Sequence, residues 1–406
     1  MFSKFIDYAA KIKKYGVVKS FRIIWECKID VIIRWVVLQF VRKRPLENII
    51  IFSSHNDFDT NGGAFYDWLI ANEYNKKYKL VWLLRNNEYA PDNLPENVEC
   101  YYWKYPNLKR DIRICTAKYF LADDWVQEKV RDEQKSLYCS HGIGGLKKVT
   151  GMIRLPESID YVLMPAESYA TVVAEQLSLS YPNSKCISVG YPLDDLLYMD
   201  NKSELLKVTK QNFSKIVVWM PTFRKGFKGD RVDGRWDTPL GIPLLSSIDE
   251  YELLNDLLKA HNMLLIIKLH PMQYIENIKI TSLSNTCILD KYDLKRKQID
   301  NYRLLSCTDA LISDYSSAAG DYLHTDNPIA YVFDDMADYK LGLISEDLDA
   351  FTAGDYIYNF NDLCSFLTDV ACGHDEYKEK RKYLREMIFQ YRDAQSSKRL
   401  AEFLDL

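Results

Sequence analysis

NIIIFSSHNDFDTNGGAFYDWLIANEYNKKYKLVWLL, residues 48–84, reads as a strand, a loop, a helix and a second strand. NIIIFSS (48–54) and KLVWLL (79–84) are apolar runs without alternation, and GAFYDWLIANE (63–73) between them has helical spacing. A run of that kind suits a strand covered on both faces, as in a parallel sheet flanked by crossover helices. The same alternation continues through VECYY (98–102), KYFLAD (118–123), KSLYCS (135–140), YVLMP (161–165) and KCISVG (185–190), with a helix predicted at ESYATVVAEQL (167–177). A polar stretch, YMDNKSELLKVTKQNFSK (198–215), then leads into a second block of the same kind. Its strands are KIVVWMP (215–221), MLLIIKLH (263–270), TCILD (286–290), DALISD (309–314) and IAYVFD (329–334), with a helix at DEYELLNDLLKAH (249–261).

The expected fold class is therefore α/β, with two Rossmann-like parallel-sheet domains. A chain of 406 residues, 47% of them apolar, is too long for one ordinary core and suits two. The expected division is 1–45, basic amphipathic helices; 46–198 and 199–375, the two Rossmann-like domains; and 376–406, a C-terminal helix packing back on the body. Nine cysteines, an odd number with no CxxC pair, and no cleavable signal peptide suit free thiols in a reducing compartment.

The net charge of −4 conceals an asymmetry, because residues 1–45 carry eleven Lys or Arg against three acids, leaving −12 for the remainder. Apolar residues recur at helical spacing through this leader, and its most apolar part, VIIRWVVLQFV (31–41), is far shorter than a membrane span. One reading is a set of helices lying in an anionic membrane interface, where each basic residue adds about 1 kcal/mol. The other is a leader packed on the body with a solvated basic face. Nucleic acid is not expected as a partner, since the rest of the chain is acidic and no nucleic-acid-binding motif occurs.

In open parallel sheets, ligands bind beyond the carboxyl ends of the strands, so residues just after each apolar run are the informative ones. SLYCSHGIGGLKKV (136–149) brings His141, Gly142 and two lysines to such a place. A histidine can take a proton from an attacking hydroxyl, and glycine lets backbone approach an anion closely. VVWMPTFR (217–224) ends in Thr222 and Arg224, suited to a polyanion. LLIIKLHP (264–271) ends in Lys268 and His270, which a phosphate would satisfy and a snorkelling lysine would equally explain. ALISDYSSAAGDYLH (310–324) offers Ser316, Ser317 and Asp321 as an anion or hydroxyl site, or as ordinary helix caps. No metal-ligand spacing, Walker loop, GxSxG elbow or HExxH occurs, so no metal is expected.

In order, six segments resemble the CDP-glycerol glycerophosphotransferase family, the teichoic-acid primases and polymerases of bacterial envelopes. They are HGIGGLKKVTG (141–151), GYPLDDLL (190–197), MPTFR (220–224), KLHP (268–271), SDYSSAAGDY (313–322) and NPIAYVFDDMADY (327–339). The resemblance covers roughly residues 48–340 and implies a GT-B architecture, two Rossmann-like domains facing a cleft, with 46–198 expected to take the acceptor and 199–375 the CDP-alditol, on the cytoplasmic face of the membrane. It also implies transfer of glycerol phosphate, or ribitol phosphate, from a CDP-linked donor to a hydroxyl of a lipid-linked saccharide or polymer, releasing CMP with no tightly bound cofactor. By matched position His141 is the expected general base. Gly142, Thr222, Arg224, Lys268, His270, Ser316, Ser317 and Asp321 are then expected at the donor site. Two departures bear on alditol and acceptor: Ile143 and Gly144 replace a Thr-Pro pair, and Leu193 stands where arginine is usual. A GT-B glycosyltransferase using a nucleotide sugar is the alternative enzyme, and a membrane-bound scaffold the alternative without catalysis. An upstream loop, SSHNDFDTNGG (53–63), holds His55, Asn56 and Asp59, read either as acceptor contacts or as a helix cap.

Overall fold

The structure, a computed structural model, describes residues 25, 29–86, 90–91, 93–140, 142, 145–223, 234 and 238–406. Of these, residues up to 140, 155–163 and 184–187 form one compact unit. Residues 142, 145–154, 164–183 and those from 188 onward form the other.

The first unit is built on a seven-stranded parallel sheet. Its strands are β1 (Glu47–Ser53), β2 (Lys79–Leu84), β3 (Val98–Tyr102), β4 (Ala117–Ala122), β5 (Lys135–Tyr138), β6 (Tyr161–Leu163) and β7 (Cys186–Ile187). They lie in the order β3-β2-β1-β4-β5-β6-β7, so the strand order reverses between β1 and β4. Alternate residues of β1 face opposite layers, as a pleated strand requires. Ile49 and Ile51 join Val81, Leu83, Ile114 and Phe120 in one core. Phe52 points the other way and stacks on its register partner Trp82 at 5.0 Å, where Tyr66 meets Trp82 edge-on. The quoted strand, loop, helix and strand are thus present, the helix being α2 (Thr60–Ala71), with α1 (Ile29–Val41) before it and α3 (Leu108–Thr116) after β3.

Helix α1 is amphipathic in an uncommon way. One stripe, Val37 and Val41, is buried with Cys115 of α3. Beside it Arg34 pairs with Asp30 and with Asp111 (3.1 Å), and Arg110 donates to the carbonyls of Tyr102 and Trp103. Two acids and two arginines therefore balance in a buried cluster. The other stripe, Val31, Ile32, Trp35, Val36 and Phe40, is 44–74% exposed. Helix α1 is thus packed on the body by one face and leaves an apolar face to solvent. Residues 1–24 and 26–28 of the expected amphipathic leader lie outside the described residues. Among the described residues no helix is long and apolar enough to cross a membrane.

The second unit holds a six-stranded parallel sheet of β8 (Lys215–Trp219), β9 (Met263–Lys268), β10 (Thr286–Leu289), β11 (Ala310–Ser313), β12 (Ile329–Val332) and β13 (Asp355–Ile357). The order is β10-β9-β8-β11-β12-β13, with the reversal between β8 and β11. Its helices include α4 (Glu167–Gln176), α5 (Ile248–Ala260), α6 (Ala318–Tyr322), α7 (Phe360–Cys372), α8 (Lys378–Ile388) and α9 (Ser396–Phe403). Trp219, Ile267 and Ile312 of the sheet pack with Leu254 and Leu258 of α5 and with Leu363 and Phe366 of α7.

Two segments differ from the sequence reading, and one device accounts for both. The predicted strand 185–190 is only Cys186–Ile187, because the chain turns at Gly190 (φ 83°). The predicted single C-terminal helix is two, α8 and α9, because Asp195 starts the second by accepting from Ser396 N and Ser397 N at 2.8 Å each. A Cβ at Gly190 would press on Ser396, and Arg399 Nε donates to Val189 O at 3.0 Å. GYPLDDLL is therefore a clasp on α9. Its other acid, Asp194, pairs with the buried His324 (3.1 Å), whose Nδ1 meets Tyr198 Oη at 2.7 Å.

Candidate active site

The strand-order reversal of the second sheet puts the exits of β8 and β11 side by side, the place where open α/β sheets hold ligands. Asp314, 1% exposed, ties the two exits together. It accepts from Thr222 N (2.8 Å), from Thr222 Oγ1 and from Ser316 N (3.2 Å). Thr222 Oγ1 also accepts from Lys147 Nζ at 3.3 Å. Lys147 belongs to the segment after His141, which is anchored in this unit by a bridge to Leu343 and by Ile344 N donating to Leu146 O (2.9 Å).

The same segment docks on the start of α6. A Cβ at Gly142 would lie 2.9 Å from Ser317 Cβ, closer still to its Oγ, and 3.7 Å from Asp321 Oδ2. A Cβ at Gly145 would lie 3.1 Å from Ser317 N. These glycines are needed for the contact between two motifs some 170 residues apart in the chain. The capping alternative for the serines is only weakly met: Ser316 Oγ accepts from Ala318 N at 3.4 Å, and Ser317 caps nothing. Asp321 is buried and accepts from Tyr302 Oη.

Lys268 is the buried last residue of β9, neighbour to β8 in the sheet. His270 Nδ1 accepts from Met272 N (3.0 Å), which puts the proton of the neutral ring on Nε2, and the ring packs on Phe223 at 4.7 Å. The exits of β8 and β9 are thereby joined. His141 and Arg224 lie outside the described residues. Of the other candidates, Gly142, Thr222, Ser316, Ser317 and Asp321 converge through direct contacts or the shared Asp314, and Lys268 and His270 stand at the adjoining strand end. The sequence places Lys147 beside His141 without assigning it to the donor site, and it assigns neither Asp314 nor Tyr302. Lys147 and Asp314 sit in motifs already quoted, whereas nothing around Tyr302 marks it.

Chemically, the described residues offer the ammonium groups of Lys147 and Lys268, the hydroxyls of Thr222, Ser316 and Ser317 and backbone N–H donors, with the carboxylates of Asp314 and Asp321 already engaged by internal donors. That suits a phosphate-bearing ligand. A cavity of about 610 Å³ lined by Leu244, Leu245, Asp334, Tyr358 and Asn359 holds none of the candidate residues.

Residues 36–405 match the sequence profile of the CDP-glycerol:poly(glycerophosphate) glycerophosphotransferase family. The chain is 24% identical over 398 residues to the teichoic acid glycerol-phosphate primase of Bacillus subtilis (strain 168), covering 91% of this chain and 93% of that protein. It is likewise 24% identical to the teichoic acid poly(glycerol phosphate) polymerase of Bacillus spizizenii, over 72% of this chain and 76% of the relative. Among solved structures, the wall teichoic acid polymerase TagF shares its fold, with a TM-score of 0.71 at 16% identity, covering 100% of this chain and 97% of that one. The two parallel-sheet domains are thus of the GT-B-like type expected, and the chain belongs to the CDP-glycerol:poly(glycerophosphate) glycerophosphotransferase family.

Proposed function

We propose that this enzyme transfers glycerol phosphate from CDP-glycerol, or a related alditol phosphate from its CDP ester, to a hydroxyl of a membrane lipid-linked saccharide or polymer. The acceptor oxygen attacks the donor's β-phosphorus, the bond from that phosphorus to the bridging oxygen breaks, and CMP leaves. His141 takes the acceptor's proton. The observation that carries the reading is the convergence of Gly142, Lys147, Thr222, Ser316 and Ser317 at the second sheet's reversal in a chain that matches the family over residues 36–405. Displacing CMP builds negative charge on a pyrophosphate, and donors held rigidly at its oxygens stabilise that charge. In this reading Arg224, Lys268 and His270 add cationic and N–H donors to the same phosphates, and Asp321 meets a hydroxyl of the alditol.

The exposed stripe of α1, followed at once by Arg42, Lys43 and Arg44, supports peripheral binding to an anionic membrane, on its cytoplasmic face where the CDP donor is available. Incubation with CDP-glycerol, CDP-ribitol and a panel of UDP-sugars tests the proposal. The CDP-alditol should release CMP and the UDP-sugars should release nothing. UDP release with no CMP would favour the nucleotide-sugar glycosyltransferase instead. Replacing His141 with Ala should abolish CMP release and leave donor affinity within about threefold, because a proton acceptor acts on the reaction rather than on donor binding.

A further inference from the structure

A transfer reaction has two substrates, and the fold has two strand-order reversals. The proposed donor site uses only the one in the second sheet. At the reversal of the first sheet, His55 follows β1 and Asp124 follows β4, and the ring Nδ1 faces Asp124 Oδ2 at 3.4 Å. Arg85, just beyond β2, pairs with the same carboxylate.

What lies beneath these three residues is rigid. Asp123, fully buried, accepts from His55 N (3.0 Å), Gly62 N (3.2 Å) and Thr60 Oγ1. Asp57 accepts from Arg85 N and Asn86 N, and Asn61 Nδ2 donates to Ser140 O at 2.9 Å. Three buried side chains thus staple the exits of β1, β2, β4 and β5 to one another and to the start of α2. A site preorganised for a ligand requires such support. Asp59 caps α2, and Asn56 bonds to Asp59. His55 does neither. Its side chain is 45% exposed above the stapled layer.

We propose that His55, positioned by Asp124 at the reversal of the first sheet, binds a hydroxyl of the acceptor, a saccharide or polyol. The charge of the described residues at these strand exits favours a hydroxyl over a phosphate. Among the described residues there, the carboxylates of Asp57, Asp59 and Asp124 outnumber the one cation, Arg85. A hydroxyl can donate to a carboxylate and accept from the ring, and an anion would be repelled. The hydrogen bond to Asp124, the largest influence, raises the histidine's affinity for a proton against the opposing effect of burial.

This inference rests on the transfer reading above, and one experiment separates the two. CMP release from CDP-glycerol is measured with an alkyl-linked disaccharide and a glycerol-phosphate trimer as acceptors, for the full chain and its His55→Ala, His55→Gln and Asp124→Asn variants. His55→Ala should raise the KM of the acceptor that is used by at least about tenfold, the scale of one lost hydrogen bond at a preorganised site. The Kd for CDP-glycerol should stay within about twofold. Asp124→Asn should raise the same KM by a smaller factor, and His55→Gln should recover part of the loss, since its amide keeps a donor and an acceptor. An acceptor KM unchanged in His55→Ala, or a matching rise in the CDP-glycerol Kd, overturns the acceptor assignment alone. Wild-type protein that releases no CMP with either acceptor overturns the transfer reading, and this inference with it.

Discussion

Replacing Gly142 with Ala tests whether the two central motifs meet as described. The backbone at Gly142 is open to any residue, so the cost is steric: the new Cβ would stand 2.9 Å from Ser317 Cβ and closer to its Oγ. Overpacking of this kind costs about 1–3 kcal/mol. For a unit of this size that is a fall in thermal midpoint of roughly 2–4 °C per kcal/mol. Ser317→Gly removes both offending atoms and costs only a few tenths of a kcal/mol by itself at a helix start. The double variant G142A/S317G should therefore be more stable than G142A alone, with a coupling of at least about 1 kcal/mol in a double-mutant cycle. Thermal unfolding of the four proteins, followed by intrinsic tryptophan fluorescence, gives the cycle. Costs that simply add, within about 0.5 kcal/mol, would mean that Gly142 and Ser317 are not in contact, and the site built on that contact would fall.

Thr222→Val keeps the shape but takes one donor from Asp314 and one acceptor from Lys147, so CDP-glycerol affinity should drop by about 1–3 kcal/mol, measurable by titration calorimetry. Asp195→Ala removes the cap of α9 and should cost about 0.5–2 kcal/mol of stability and speed tryptic cleavage near Arg392, while leaving the KM for CDP-glycerol unchanged. Burial, its dominant influence, raises the Asp123 carboxyl from 3.8 to about 8. The folded protein then keeps a proton there that the unfolded chain has lost, so stability should decline as pH rises from about 4 to about 8. Asp123→Asn should flatten that decline in thermal midpoints taken across the range, and an unchanged slope would assign it to other groups. Trp35→Ser with Phe40→Ser should lower co-sedimentation with anionic vesicles without altering CMP release from a soluble acceptor.

Much of this fold is legible in local sequence, because a parallel strand buried on both faces must be a short apolar run and its exit must be polar. NIIIFSS and KLVWLL, DALISD and IAYVFD announce themselves in that way, and so do Thr222, Ser316 and Ser317 just beyond them. Pairings between distant segments are not legible. Nothing near Asp195 says that it starts a helix two hundred residues later, nor that Asp194 meets His324. Tyr302 lies on Asp321 only because a short helix, Asn301–Leu305, brings it there. The clasp GYPLDDLL shows the limit well: two acids in a family motif suggest chemistry, and the fold spends both on holding its C-terminal part together. His55 shows the reverse, since a loop that reads as a helix cap contains one residue that caps nothing and stands at a strand-order reversal.

In the proposed reaction the donor's phosphates bind at the reversal of the second sheet, against Ser316 and Ser317. Titration of CDP-glycerol into the wild type and into a Ser316→Ala/Ser317→Ala variant, with thermal midpoints taken on the same samples, tests it most directly. The variant's Kd should be at least about tenfold weaker, the scale of lost hydrogen bonds to a charged group. Ser316 makes one long cap and Ser317 none, so the midpoint should fall by no more than a few degrees, the scale of losing one such cap. An unchanged Kd with a clearly lowered midpoint would contradict it and reduce the two serines to helix caps.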